Sequence, residues 1–140
     1  MLMLKPENRL KKVKDFELVN KYGRWTSGVL MSIKVLKLTS VRKENLPKII
    51  KNGDEKVLNK WQNQLKLAVA VGLKFHKSAV KRNRMKRQIR EVVRLLIKDN
   101  KFVNGYYVLI QPKKECLEQD YAKISKELEL LFKKSKILKI

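Results

Sequence analysis

The chain has 140 residues, 44% of them apolar, enough for one domain with its own core at the usual ~100–200 residues per domain. Its 35 Lys and Arg against 13 Asp and Glu leave a formal net charge of +22, an excess that opposes compaction and calls for a polyanionic partner. Cys116 has no second cysteine to pair with, no stretch approaches the ~18 apolar residues of a membrane span, and 5 Gly with 3 Pro exclude collagen-like and low-complexity chains.

Met1-Leu2-Met3-Leu4 is apolar but stops at Lys5 and Pro6, too short for a signal-peptide core. With a single cysteine, this predicts a cytoplasmic protein. Leu10, Val13, Phe16 and Leu18 recur at roughly helical spacing, which predicts a helix over Asn8 to Tyr22, stopped by Gly23. Lys11, Lys12 and Lys14 load its remaining surface. Trp25 falls in an expected turn around Gly23 to Gly28, as a core or loop anchor. From Val29 to Leu38 the period changes to two, with Met31, Ile33 and Val35 on one face and Ser32 and Lys34 on the other, the mark of a half-buried strand.

The stretch 39–64 carries turn signals at Pro47 and Asn52-Gly53-Asp54, and Val57, Leu58 and Trp61 have helical spacing. It reads as a long, partly structured connection. Leu65 to Gly72 is a second strand, apolar enough to be expected at the centre of a sheet. A basic loop, Lys74 to Ala79, leads into a long helix that starts at Ser78 or Val80 and runs to Asn100. Tyr106 to Gln111 is another strand, closed by Pro112. A last helix begins at Leu117 or Asp120 and runs to Lys134, with Tyr121, Ile124, Leu128 and Leu131 on one face. No repeat or linker divides the chain, so 1–140 reads as a single mixed α+β domain, helices packed on an open sheet.

The charge concentrates between Lys74 and Lys98, which holds ten basic residues and one acid, Glu91. On a helix, Arg82, Lys86, Arg90, Asn83, Arg94 and Arg87 spread over an arc of roughly 140°, while Met85, Ile89, Val92, Val93 and Leu96 fill a neighbouring arc of roughly 100°. One face therefore packs on the sheet and the adjacent face presents a comb of cations. Solvated helices intersperse both signs; this one hardly does. Guanidinium forks suit phosphate oxygens, and the Asn83 amide suits a base edge or a 2′-hydroxyl. A polyanionic partner is expected, ribosomal RNA, another structured RNA or DNA, with an anionic membrane surface the weaker alternative and no small-molecule substrate.

Nothing in the sequence supplies protein-borne chemistry. His76 is the sole histidine, so neither a histidine-based triad nor a multi-histidine metal site can form. Cys116 reads as a partly buried helix-start residue, and the carboxylates are scattered. No catalytic and no metal-ligating residue is expected. Phe16 has two readings, core packing or a stacking platform for an unpaired base. A structural RNA-binding protein of the ribosomal type would show the same charge and no active site. A DNA-binding helix would want a helix-turn-helix partner before it, where a strand and loop stand instead.

Arg82-Asn83-Arg84-Met85-Lys86-Arg87, followed by Ile89-Arg90-Glu91, resembles the R-N-R-x-K-R-x-x-R signature of the bacterial ribonuclease P protein subunit. Asn8-Arg9-Leu10-Lys11-Lys12 with Asp15-Phe16, the strand Leu65 to Gly72, Tyr106 to Pro112 and the closing Leu131-Phe132-Lys133-Lys134 resemble the family's flanking segments in the right order. The chain departs from the pattern in having Gly72-Leu73-Lys74 where Ser-Lys-Lys or Ala-Lys-Lys is usual. It also has Asn20 where a second aromatic commonly follows Phe16, and Tyr22 is the candidate replacement.

The resemblance implies a two-layer α-β sandwich like the second domain of ribosomal protein S5, in the order α-β-β-β-α-β-α. It implies an accessory subunit of ribonuclease P, whose RNA subunit carries the chemistry with magnesium (Mg2+) held mainly by that RNA and substrate phosphates. Partners would be the RNase P RNA subunit and precursor tRNA. RNA docking is expected at Arg82, Asn83, Arg84, Lys86, Arg87, Arg90, Lys74, Lys81, Arg9, Lys11 and Lys12. The 5′ leader is expected at Phe16 and Tyr22, in a cleft between the sheet and the first helix.

Overall fold

The structure, a computed structural model, describes residues 4–139; the apolar opening 1–3 lies outside the described residues. The elements run α1 (Val13–Tyr22), β1 (Arg24–Ser27), β2 (Met31–Lys37), α2 (Lys48–Lys51), α3 (Glu55–Gln62), β3 (Leu65–Val69), α4 (Ala79–Lys98), β4 (Tyr106–Pro112) and α5 (Tyr121–Lys134). Four strands form one mixed sheet in the order β1-β2-β4-β3, with β1, β2 and β4 antiparallel in turn and β3 parallel to β4. With α2 and α3 set into the connection, this is the expected order of a mixed α+β fold.

Alternation along the strands gives the sheet two apolar faces. Met31, Ile33, Val108, Ile110, Leu65 and Leu67 face α4 and α5, where they join Met85, Ile89, Val93, Ile124 and Leu128 in the larger core. Ile33, Ile89, Val93, Ile124 and Leu128 are fully buried; each such side chain contributes about 1.5–3 kcal/mol relative to exposure. On the other face Leu36, Tyr107 and Leu109 pack with Leu10, Val19 and Trp61. All five apolar positions read from the α4 sequence are buried, and so are Ile124, Leu128 and Leu131 of α5. Ser78, Asp54 and Asp120 cap α4, α3 and α5 by accepting from the amide three residues on.

Three expectations change. The first helix starts at Val13, because Asn8 to Leu10 are drawn out along β3: Arg9 bridges Leu67 in parallel, the Leu10 amide donates to the Leu67 carbonyl at 3.0 Å, and Asn8 Nδ2 donates to the Leu65 carbonyl at 2.9 Å. An open strand edge offers backbone partners that a short lysine-rich helix turn does not. The second strand is consequently an edge strand, not a central one. Leu65, Leu67 and Val69 are buried, while Lys66 and Ala68 between them are half-buried on the side of the Leu10 segment. The helices α2 and α3 are the structured part of the connection 39–64, where Val57, Leu58 and Trp61 have the helical spacing read from the sequence, and Trp61 is a core anchor, edge-on to Tyr107 at 6.2 Å between centroids. Trp25 lies in no turn: it sits on the edge strand β1, 48% exposed.

Gly105, just before β4, has φ +102, and a Cβ there would meet the Gln62 carbonyl at 2.9 Å. Its amide donates to the Gln64 carbonyl at 2.7 Å, which fixes where the α4 crossover re-enters the sheet beside β3.

Candidate nucleic-acid interface

The loop before α4 is built around one guanidinium. Arg82 lies at the border of the apolar arc and is half-buried, so its side chain turns back. Its Nη1 donates to the carbonyls of His76 at 2.9 Å and Lys77 at 2.8 Å. His76 Nδ1 accepts from the Ser78 amide at 2.9 Å, one residue before the helix begins. The lone histidine thus organises the loop.

Beyond Arg82, Lys81, Asn83, Arg84 and Arg87 are exposed, while Lys86 and Arg90 are half-buried. Arg94 leaves the comb. It grips Glu91 through Nη2 at 2.6 Å and Nε at 3.0 Å, and this hydrogen bonding pulls the Glu91 carboxyl below its usual range. It is the one ion pair among the described residues. Apart from Arg82, which is turned back onto the loop, the remaining cations of α4 have no acid paired with them among the described residues.

Next to this face is a cleft of about 390 Å³ between β3, the segment leading into α1, and α4. Phe16, Arg9, Lys11 and Arg90 line it, and Leu67 and Ala68 form its floor. Elements far apart in sequence thereby bring four of the expected residues together. Arg9 is oriented by its Nε, which donates to the Leu4 carbonyl at 2.7 Å. Phe16 is half-buried, one side against the core that includes Leu10 and the other towards the cleft. Lys12 and Lys74 are exposed and line no part of this cleft.

Tyr22 is not brought there. It borders two other hollows, one with Lys14, Lys21 and Leu46, the second with Thr26, Val35 and Tyr106 on the α5 side of the sheet. Six residues separate it from Phe16, which turns the two rings to different sides of α1. The small side chains of the cleft floor went unread in the sequence. The signal was present in Leu67-Ala68-Val69-Ala70, where every second residue is an alanine and those alanines face the α1 side.

Under α1, Asp15 is buried and burial raises its carboxyl, with Lys66 and Lys12 pulling it partly back. Burial also raises the Tyr107 phenol, whose hydroxyl donates to Gln64 Oε1 at 2.8 Å. Cys116 is fully buried with its Sγ 3.7 Å from Met85 Sδ, and burial pushes its thiol up to about 11. That is an inert thiol. Among the described residues no three His, Cys, Asp or Glu side chains come together. No helix of the described residues is long and apolar enough to cross a membrane.

A family model described as Ribonuclease P matches residues 4–136. The chain belongs to the ribonuclease P protein family. It is similar to the ribonuclease P protein component of Rickettsia rickettsii, 31% identical over 123 residues that cover 87% of this chain and 92% of that one. The component from Rickettsia prowazekii is 32% identical over 120 residues, covering 85% and 87%. Among solved structures, the RNase P protein of Staphylococcus aureus superposes with a TM-score of 0.67 at 18% identity, covering 94% of this chain and 97% of that one. That of Thermotoga maritima gives 0.64 at 22%, covering 91% and 96%. These two likenesses concern the fold. Membership of the ribonuclease P family makes the chain the protein component of that ribonuclease, a tRNA-processing enzyme, and sets aside a ribosomal-type structural protein.

Proposed function

We propose that the chain, acting as a single domain over 1–140, docks on the RNA subunit of ribonuclease P through the cationic face of α4 and holds the 5′ leader of precursor tRNA in the cleft at Phe16. The observation that carries this reading is the cleft itself, where an aromatic ring, two arginines and a lysine converge on a floor of Leu67 and Ala68. A flat ring binds an unpaired base without reading its identity, and flanking cations hold the backbone on either side.

Arg84, Arg87, Asn83 and Lys81 reach outward from the first turns of α4, and Lys86 and Arg90 stand between them and the cleft. Lys74 extends the same surface along the preceding loop, and Arg9, Lys11 and Lys12 extend it along the entry to α1. Tyr22 can meet RNA only outside the Phe16 cleft. Endonucleolytic cleavage of the leader then belongs to the RNA subunit, and the protein's part is to bind and orient. Magnesium is held mainly by that RNA and by substrate phosphates, and no step passes through a metal bound by this chain. The site of action is the cytoplasm.

Docking through α4 is tested by the salt dependence of affinity for the RNA subunit. Each phosphate contact contributes about 0.7–0.9 to the slope of log affinity against log salt. Arg84→Ala with Arg87→Ala should weaken binding and flatten that slope by one to two contacts' worth. An unchanged slope would remove α4 from the interface.

A further inference from the structure

Helix α5 stops short of one corner of the sheet. It ends at Lys134, and its cap residue Ser135 reaches β1, where Ser135 Oγ donates to Thr26 Oγ1 at 3.3 Å. Beyond that contact the register gathers three strand ends: Arg24 of β1 lies opposite Val35 of β2, and Lys37 of β2 opposite Tyr106 of β4. Paired residues, and residues two apart along a strand, share a face. Arg24, Thr26, Val35, Lys37 and Tyr106 therefore rise together on the α5 side. With Lys134 and Tyr22 they line a hollow of about 480 Å³, within the size range of sites for small ligands.

Three elements send one cation each to this hollow. Arg24, Lys37 and Lys134 are all exposed, none is ion-paired among the described residues, and no lining residue is acidic. The negative end of α5, which would repel an anion, is blunted. Its Leu131, Phe132 and Lys133 carbonyls accept from the Ser135, Ile137 and Lys136 amides at 3.0, 3.1 and 3.0 Å. Val35 and Tyr106 are half-buried and give the hollow an apolar floor, while the Tyr22 side chain is 38% exposed. Cations suit a phosphate, Arg24 with a planar fork, and tyrosine rings suit the face of a base.

We infer that this corner is a separate nucleotide site, which takes one unpaired nucleotide by its phosphate on Arg24, Lys37 and Lys134 and by its base against Tyr22 and Tyr106. The hollow shares no lining residue with the Phe16 cleft, which lies against β3 at one edge of the sheet, whereas Arg24 and Thr26 belong to β1 at the other. It therefore stands or falls independently of the leader reading. A bare anion would use the three cations and leave both rings idle. The nucleotide can belong to an RNA strand or be free, since the groups that recognise it are the same.

The test titrates the full chain with adenosine 5′-monophosphate, adenosine and inorganic phosphate, following backbone amide shifts by NMR. The monophosphate should perturb residues 24–26, 35–37, 106 and 134–135, and should bind on the order of tenfold more tightly than adenosine or phosphate alone. Arg24→Gln with Lys134→Gln, both exposed, should weaken it by about tenfold or more at an unchanged melting temperature. Tyr22→Leu should narrow the gap between the monophosphate and inorganic phosphate. The source is named by labelled monophosphate bound to the parent in excess of the Arg24, Lys134 double variant. If that excess disappears when the chain is assembled with the RNA subunit and precursor tRNA, an RNA nucleotide fills the site; if it persists, the site takes a free nucleotide. Shifts confined to the Phe16 cleft and α4, equal binding by the double variant, or phosphate binding as tightly as the monophosphate would each overturn the inference.

Discussion

Arg82 holds His76 by the backbone: its Nη1 donates to the His76 carbonyl at 2.9 Å while the His76 ring accepts from Ser78, so the loop closes on itself just ahead of α4. Arg82 is therefore as much a bracket for the loop as a cation for RNA. A lysine keeps the charge but offers no planar fork to bridge two carbonyls. Arg82→Lys should cost more affinity for the RNA subunit than Arg84→Lys, and should speed amide exchange in residues 76–78. Equal losses for the two variants, with exchange unchanged, would show that Arg82 acts by charge alone.

Phe16 is half-buried, so truncation mixes lost packing with lost stacking. Phe16→Leu keeps most of the apolar volume and removes the flat ring. It should leave the melting temperature near that of the parent and reduce affinity for precursor tRNA by about 1–3 kcal/mol, the scale of one stacked base. Mature tRNA should bind as before. A large fall in melting temperature, with both tRNAs weakened together, would return Phe16 to the core.

Much of α4 was legible because a 20-residue helix repeats its period often enough to separate an apolar from a cationic face. The same rule misplaced Leu10. Its spacing to Val13 is helical, yet its amide is taken by Leu67 across a distance of 57 residues in sequence, which no local pattern records. Strand β3 misled for a related reason. Leu65, Leu67 and Val69 are buried on one face and Ala68 and Ala70 are partly buried on the other, so an edge strand covered in this way reads like a central one. Tyr22 and Phe16 part because six residues of α1 turn their rings to different sides, a separation that follows once the helix is placed; strand register could not be read in advance, because it is set by pairings between distant segments. Arg94 shares the cationic arc, but Glu91 three residues before it, the one acid of the segment, grips it.

Asp15 makes stability depend on pH. Its carboxyl has an ordinary value of 3.8 and burial raises it in the folded chain, Lys66 and Lys12 reducing the rise without cancelling it. The folded protein therefore binds more protons than the unfolded chain in that window, and stability falls as pH rises through it and stays lower at neutrality. Asp15→Asn should melt above the parent at pH 7, with the gap closing as pH is lowered below the ordinary carboxylate value. A gap independent of pH, or a less stable variant at pH 7, would contradict the buried-carboxylate explanation.

Cys116 and His76 should be dispensable for turnover. Cys116→Ala and His76→Ala are expected to leave holoenzyme turnover within a few-fold of the parent, with lower melting temperatures. The thiol, pushed up to about 11, should resist alkylation at neutral pH until the chain is unfolded. A turnover loss of about 10²–10⁴, the range for a true general acid or base, would place chemistry on the protein.

The most direct measurement adds the purified chain to protein-free ribonuclease P RNA and precursor tRNA at low magnesium, and follows release of the 5′ leader. Leader cleavage should be restored by the parent chain and poorly restored by the variant lacking Arg84 and Arg87, with no cleavage by the protein in the absence of the RNA. Failure of the parent chain to restore cleavage, or equal rescue by the variant, would contradict a protein that acts by binding RNA through α4.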